Sequence, residues 1–343
     1  MTNVALDSSD ARFLAGEKRD GIEAETPAIR EILRTLTPEM KQWQELSGWI
    51  SLRIIVTTVL WISVVIAVRR WADQVAVSFI VFVALAALQH RCNIIQHEAI
   101  HRLLFRNRLL NDLIGHHFFG ASLLTPHTYR FYHFKHHREL GRESDPDFPG
   151  YNRFPTSRWG VFRFVLENLI GLGVVTRFLA ETRSAVSRSE DPRAYHENRG
   201  WKAALLAWGS VAIVQWVLLG LFVLTGGSLG EFLLFWVLPE ITLTRTLMAI
   251  RLMGEHASRG EEFPRDIRYL VTLPSNIFER ILFAPLNFNY HAEHHLFPAV
   301  PWHRLEKLHN RLMELPEYRQ VVGVRRGYLH AVFHSCIRTK TSL

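Results

Sequence analysis

The chain has 343 residues, with 40 Lys and Arg against 32 Asp and Glu, and 48% of its residues are hydrophobic. Its two cysteines exclude a disulfide-rich scaffold and the cysteine-rich zinc modules, and its glycine and proline contents exclude collagen-like and low-complexity chains. Eighteen histidines are an unusually large number for a chain of this length.

The first segment, residues 1–47, is polar, and no cleavable signal peptide is evident in it. Residues 27–46 carry apolar side chains at helical spacing, which is typical of amphipathic helices at a membrane surface. We therefore predict an N-terminal amphipathic segment that lies near the membrane.

Four apolar stretches predict membrane spans, because a helix needs about 20 apolar residues to cross the hydrocarbon core. They cover residues 48–68, 75–88, 203–224 and 229–250, and buried core helices are the alternative for the second and fourth. Only RRWADQ separates the first two and only TGGS separates the last two, so each pair is predicted to form a helical hairpin. A further apolar stretch, 159–180, is interrupted by charges and is predicted to be an interfacial or buried helix.

Two hairpins place the three long polar segments of the chain on one side of the membrane. The loop 96–202 holds 16 Lys and Arg and the tail 251–343 holds 13, while the two hairpin turns hold only Arg69 and Arg70. Positive residues mark the cytoplasmic side, so the long segments are predicted to be cytosolic. The excess of Lys and Arg over Asp and Glu is thus explained by membrane topology, and no nucleic-acid-binding motif accompanies it.

Three close clusters of histidines follow the predicted spans. Spacings of three and four residues place side chains on one helix face, so each cluster can present two imidazoles to one centre. Adjacent histidines differ by about 100° around a helix, so one of them can reach a neighbouring centre. The pattern predicts a site for two metal ions, and imidazole suits zinc, copper, iron and nickel alike. The clusters are His97 with His101, His133 with His136 and His137, and His291 with His294 and His295, and a single His256 follows the fourth span.

Two kinds of chemistry compete for these residues. His97-Glu-Ala-Ile-His101 matches the HExxH motif, in which Glu98 would be the general base of a membrane metalloprotease. That interpretation uses two histidines and leaves the other clusters without a role. Oxidation at a two-metal centre uses all of them.

With these clusters in this order, the chain resembles the membrane fatty acid desaturase/hydroxylase superfamily. The resemblance covers about residues 48–310 and rests mainly on HEAIH (97–101), YRFYHFKHH (129–137) and NYHAEHHLFPAVPWHRL (289–305), with NDLIG (111–115) and DPD (145–147) in support. It implies an all-α integral membrane protein with four transmembrane helices in two hairpins and a cytosolic helical cap. It also divides the chain into the N-terminal segment 1–47, a desaturase-like domain 48–310 and a basic tail 311–343.

The resemblance assigns residues to a di-iron site within that cap. Acidic side chains beside the clusters are predicted to orient the imidazoles through hydrogen bonds. Leu252 stands where acyl-CoA desaturases of the family have an asparagine that completes the second iron through water. No metal-binding role is predicted for two remaining histidine pairs, His303 with His309 and His330 with His334. The implied iron ligands are His97, His101, His133, His136, His137, His256, His291, His294 and His295, and the acidic residues are Glu98, Asp145, Asp147, Glu255 and Glu293.

The activity implied is O2-dependent desaturation of a fatty acyl chain, as an acyl-lipid or acyl thioester. It needs two iron ions and a separate electron donor of the ferredoxin, rubredoxin or cytochrome b5 type. A hydroxylase of an alkyl or lipid chain and a specialised biosynthetic desaturase with a smaller substrate remain open on the same scaffold. The third cluster begins with His and no HPGG heme motif occurs, which argues against front-end desaturases with a fused donor. A bacterial inner membrane is favoured over the endoplasmic reticulum.

Overall fold

The protein is mostly helical, and its computed structural model describes residues 26–118, 126–176, 179 and 201–338. The first helices are α1 (Pro27–Leu36), α2 (Met40–Trp43), α3 (Gly48–Trp71), α4 (Val75–Ile100), α5 (Arg108–Phe118), α6 (Pro126–Glu139), α7 (Phe148–Tyr151) and α8 (Arg158–Leu169). The later ones are α9 (Trp201–Leu224), α10 (Leu229–Phe232), α11 (Arg245–Glu255), α12 (Arg265–Arg268), α13 (Ile277–Leu282), α14 (His291–Leu296), α15 (Trp302–Leu312), α16 (Pro316–Val321) and α17 (Gly327–Ser335).

Shorter elements complete the described fold. A 3₁₀ turn at Thr37–Glu39 joins α1 to α2, and π-helical turns occupy Leu233–Val237 and Glu240–Thr244. Two strands, β1 (Val271–Thr272) and β2 (Gly323–Val324), pair in parallel.

Three helical stretches in the described part are long and apolar enough to cross a membrane: α3, α4 and Leu229–Glu255. The third predicted span falls in α9, where Val211–Leu224 is a shorter apolar helix. The first, second and fourth predicted spans therefore coincide with helices long and apolar enough to cross a membrane, and the third, residues 203–224, stays a prediction. Trp49 and Trp71 lie exposed near the two ends of α3, as expected for indole rings at the two membrane interfaces.

The second predicted span is longer than its apolar run. That run ends near residue 88, but α4 continues to Ile100, and its last three turns are almost entirely buried. Polar side chains are tolerated there because the neighbouring helical stretch Leu229–Glu255 supplies partners for them. Gln89 donates through Nε2 to the carbonyl of Trp236 at 2.7 Å, and its Oε1 accepts from the Thr244 hydroxyl at 3.1 Å.

The two π-helical turns flank Pro239, which has no backbone N–H to donate. The helix widens on both sides of this residue and then returns to α-helical geometry in α11. Such turns inside a helix free carbonyl groups for other partners, and the Trp236 carbonyl lies in the first of them. The widened segment is therefore fixed against α4.

The turns of the two predicted hairpins lie side by side. The guanidinium of Arg70, at the end of α3, donates to the carbonyls of Thr225 and Phe222, the second of these at 3.3 Å. Arg70 also lies over the Phe222 ring. A basic side chain in one turn thus closes the C-terminal end of α9, whose last carbonyls lack partners within the helix.

The N-terminal helix packs on protein. Ile29, Ile32 and Leu36 of α1 are fully buried in one apolar cluster with Leu312 and Tyr318. The apolar face that predicted a membrane-surface helix is therefore covered by α15 and α16. The same packing extends past residue 310, through the end of α15 into α16.

Candidate metal centre

The histidine clusters come together at one end of the long helices, away from the hairpin turns. His97 and His101 lie at the end of α4, and His256 follows α11. The other two clusters lie on the cap helices α6 and α14. All nine histidines predicted as ligands are buried.

They divide into two groups in which the nitrogens lie within 4.8 Å of one another. The adjacent pairs separate: His137 joins the first group and His136 the second, and His294 and His295 divide in the same way. The first group is His97, His101, His133, His137 and His294, and the second is His136, His256, His291 and His295.

His133 lies at the centre of the first group. Its Nε2 is 2.8 Å from the Nε2 atoms of three other histidines, His97, His101 and His137. A ring nitrogen of a neutral imidazole either donates one proton or accepts, so one atom cannot make all three contacts as hydrogen bonds. Nitrogens that bind one metal ion at about 2.1 Å are brought this close together. The donor set therefore fits a metal ion.

The second group has the same character. The Nε2 of His291 lies 3.0 Å from the Nε2 of His256 and 3.0 Å from the Nε2 of His295. Outside the group, the Nδ1 of His256 faces the carbonyl of Tyr269 at 3.2 Å, a contact in which Nδ1 donates. That bond leaves Nε2 unprotonated, the form that binds metal.

Burial keeps most of these imidazoles neutral. It lowers the pKa of His101 to about 3, and it holds the pKa of His294 well below its ordinary value, with help from neighbouring histidines. His136 is the exception. Burial alone would lower its pKa, but the nearby carboxylates of Asp145, Asp147 and Glu255 together outweigh this and raise it. Neutral imidazoles at physiological pH are ready to bind a metal without first losing a proton.

Among the acidic residues, Asp145 lies closest to the Nδ1 atom of a predicted ligand histidine. Both of its oxygens lie 3.0 Å from the Nδ1 of His136. The Tyr151 hydroxyl donates to it at 2.5 Å and the backbone N–H of Asp147 at 2.8 Å. The side chain of Asp147 is partly exposed and lies 3.9 Å from the same nitrogen. Asp145 therefore fixes the His136 ring, and Asp147 serves mainly through its backbone.

Glu98 lies on the outer side of the first group. Its Oε1 is 3.4 Å from the Nδ1 of His97, and its Oε2 accepts from the backbone N–H of Trp302 at 3.1 Å. The carboxylate thus faces the histidine nitrogen opposite to the one that joins the group. A metalloprotease base would have to face the metal, so this position disfavours the HExxH interpretation.

Glu293 differs from its predicted role. Its Oε1 accepts from the Nδ1 of His309 and, at 2.5 Å, from the Tyr318 hydroxyl. The reason is helical geometry, since residue 293 lies about 200° around α14 from His291 and His295. Glu293 ties α14 to α15 and α16, and it does not hold a ligand histidine by any described bond. Sequence spacing gave no signal for His309, because its partner is 16 positions away.

Two further residues of the stretches that resemble the family, Asn111 and Arg130, hydrogen-bond to the backbone beside the first histidine cluster. Asn111 of α5 accepts from the backbone N–H of Leu104 at 3.1 Å and donates to the carbonyl of Phe105 at 2.6 Å. Arg130 of α6 donates to the carbonyl of Ile100 at 3.0 Å and to Asp112 at 2.6 Å. These bonds fix α5 and α6 against the end of α4. The side chains of His116 and His117 lie outside the described residues.

Comparison with known proteins identifies the family. The family model for fatty acid desaturases matches residues 69–326. Among similar proteins, a dihydrorhizobitoxine desaturase from Bradyrhizobium elkanii is 27% identical over 75% of this chain and 72% of its own length. A ceramide hydroxylase from Caulobacter vibrioides is 28% identical over 57% of this chain and 61% of its own length.

A third relative is similar over more of the chain. An sn-1 oleoyl-lipid 12-desaturase from Arthrospira platensis is 23% identical over 94% of this chain and 89% of its own length. The match to the family model spans both histidine groups, α4 and the helical stretch Leu229–Glu255. The chain therefore belongs to the fatty acid desaturase family and is an integral membrane oxidoreductase.

Proposed function

We propose that the protein removes two hydrogens from an acyl or lipid chain, with O2 as oxidant, at a centre of two iron ions held by nine histidines. The reaction balances when O2 accepts the two hydrogens together with two external electrons and two protons, which gives one double bond and two waters. The observation that carries the proposal is the division of nine buried histidines into adjacent groups of five and four. When bound, two redox-active irons supply the electron transfer for this reaction, which zinc cannot do.

The residues of the chain have separate tasks in this proposal. The buried imidazoles stay neutral and provide their Nε2 atoms, and Asp145 keeps the His136 ring in one orientation. Because His97 and His101 lie at the end of α4 and His256 follows α11, the centre lies where an apolar chain in the membrane could reach it. Burial of both groups keeps bulk water from the oxidising centre. An electron donor of the ferredoxin, rubredoxin or cytochrome b5 type is a separate protein.

Hydroxylation of a lipid is the second candidate, and a specialised desaturase with a smaller substrate is the third. They are favoured by two relatives, one named a ceramide hydroxylase and one a dihydrorhizobitoxine desaturase. Expression in a bacterial host with a ferredoxin reductase system, followed by mass spectrometry of total lipids, separates the three. A loss of two hydrogens supports desaturation, and a gain of one oxygen supports hydroxylation. Unchanged lipids alongside iron-bound protein support a smaller substrate.

We also propose that the metal centre faces the cytosol of a bacterial inner membrane. The hairpin turns lie together at Arg70, and the histidines lie at the other end of the helices. Asp73 in the first turn and Lys307 in α15 are both exposed, while Cys92 and Cys336 are buried. In intact cells, a membrane-impermeant maleimide should label Asp73→Cys but should label Lys307→Cys only after permeabilisation. The opposite labelling would reverse the orientation.

A further inference from the structure

The two histidine groups are unequal. Five imidazoles form the first group and four the second, so the second metal position has one protein ligand fewer. Leu252, one turn before His256 on α11, has an apolar side chain and cannot bind a metal ion. Iron commonly takes carboxylate oxygen together with imidazole nitrogen. A buried carboxylate on the inner side of the second group would therefore complete it.

Glu255 is that carboxylate. It ends α11, its side chain is 1% exposed, and its Oε2 lies 3.5 Å from the Nε2 of His291. That nitrogen is the one that joins the second group, at 3.0 Å from the Nε2 atoms of His256 and His295. Asp145 and Glu98, by contrast, contact the outer Nδ1 atoms of their histidines.

Two neighbours hold Glu255 in this position. Arg251, one turn earlier, donates from Nε to Oε2 at 2.9 Å, and the Tyr328 hydroxyl donates to Oε1 at 2.9 Å. The guanidinium of Arg251 in turn lies over the ring of Phe288, 4.4 Å from the centroid. A carboxylate oxygen has more than one acceptor site, so the bond from Arg251 leaves capacity on Oε2. Arg251 and Tyr328 thus hold the Glu255 carboxylate in position, and Arg251 partly balances its charge. Its Oε2 still faces the second histidine group.

We infer that Glu255 supplies the oxygen ligand of the second metal ion. This inference rests on the proposed two-iron site, and it gives Glu255 a different role from the predicted one of orienting an imidazole. The structural alternative is that Glu255 serves only to hold Arg251 and Tyr328. The two roles differ in what happens to the metal when the charge is removed.

The test is Glu255→Gln, with Glu240→Gln as the matched control. Glu240 is also buried in the helical stretch Leu229–Glu255 and also pairs with an arginine, Arg245, at 2.8 Å, but no described contact joins it to a predicted ligand histidine. Iron content and ⁵⁷Fe Mössbauer spectra are measured on each purified variant, with the release of iron to a chelator. For Glu255→Gln we expect about one iron per chain, or release from one site at least ~10-fold faster. For Glu240→Gln we expect wild-type values.

Each result decides between the roles. If Glu255→Gln keeps two irons with unchanged spectra and release, the inference is wrong and Glu255 is structural. Should Glu255→Gln fail to fold, Glu255→Asp is measured in its place, since it keeps the charge but withdraws it by one methylene. Wild-type protein that binds no iron would overturn the proposed function itself, which is a different outcome from a defect confined to one site.

Discussion

At the residue scale, the contacts of Asp145 explain why one carboxylate matters to the second histidine group. It accepts from the Tyr151 hydroxyl and from the backbone of Asp147 while it faces the Nδ1 of His136. We expect Asp145→Asn to weaken metal binding at the second group by about 10- to 100-fold and to leave the first group occupied. Metal titration followed by chelator competition measures this. Asp147→Asn, at a partly exposed side chain, is the control and should change little.

Cys336 gives a prediction for pH. The side chain is buried and its Sγ lies 3.5 Å from the carbonyl of Met253, and burial raises its pKa to about 12. The unfolded thiol loses its proton above about pH 8.5, whereas the folded one keeps it. Alkaline pH above that value should therefore favour the unfolded state. Iodoacetamide should modify Cys336 slowly at pH 8 and rapidly in denatured protein, and fast modification of the folded protein would contradict this environment.

Eight of the nine histidines could be predicted as ligands because they recur on helix faces at short spacings, whereas the family resemblance implied His256. The side chains around them could not, since their partners are distant in the chain. Glu293 meets Tyr318 and His309 because three helices pack together, and nothing in the spacing of these residues indicates it. The inner position of Glu255 likewise depends on how α11 and α14 meet.

At the scale of elements, α1 shows how a single pattern permits two environments. Amphipathic spacing is equally suited to a membrane surface and to a protein groove, and here Ile32 is buried with Tyr318 and Leu312. We expect Ile32→Ala to lower the free energy of unfolding by roughly 2–5 kcal/mol, because it leaves a cavity in this cluster. Arg34→Ala, at an exposed side chain, is the control.

Thermal unfolding in detergent measures the effect of Ile32→Ala. If the helix instead bound the membrane, Ile32→Ala would weaken membrane association and leave the unfolding temperature unchanged. The other elements were predictable to different degrees. Apolar runs located α3 and the start of α4, but hydropathy ended α4 too early because its last turns are polar and buried by protein.

At the scale of the whole molecule, two helical hairpins carry a cap on which the histidines converge. The predicted pairing of spans agrees with the contact of Arg70 at the second turn, and the positive charge on the long segments supports the proposed cytosolic side of the metal centre. The family match runs from the first hairpin turn through both histidine groups to residue 326. The sequence predicted that adjacent histidines would divide between two centres, and the two groups confirm it, but which member joins which group depends on the relative rotation of α6 and α14.

The central claim is that this fold holds two iron ions, one in each histidine group. The most direct measurement is the metal content of protein purified without chelators from iron- and zinc-replete cells, by mass spectrometry of the elements, beside the variant His133→Ala. The account predicts two irons per wild-type chain and, because His133 lies at the centre of the first group, no more than about one in the variant. Stoichiometric zinc without iron, or two irons retained by His133→Ala, would contradict it.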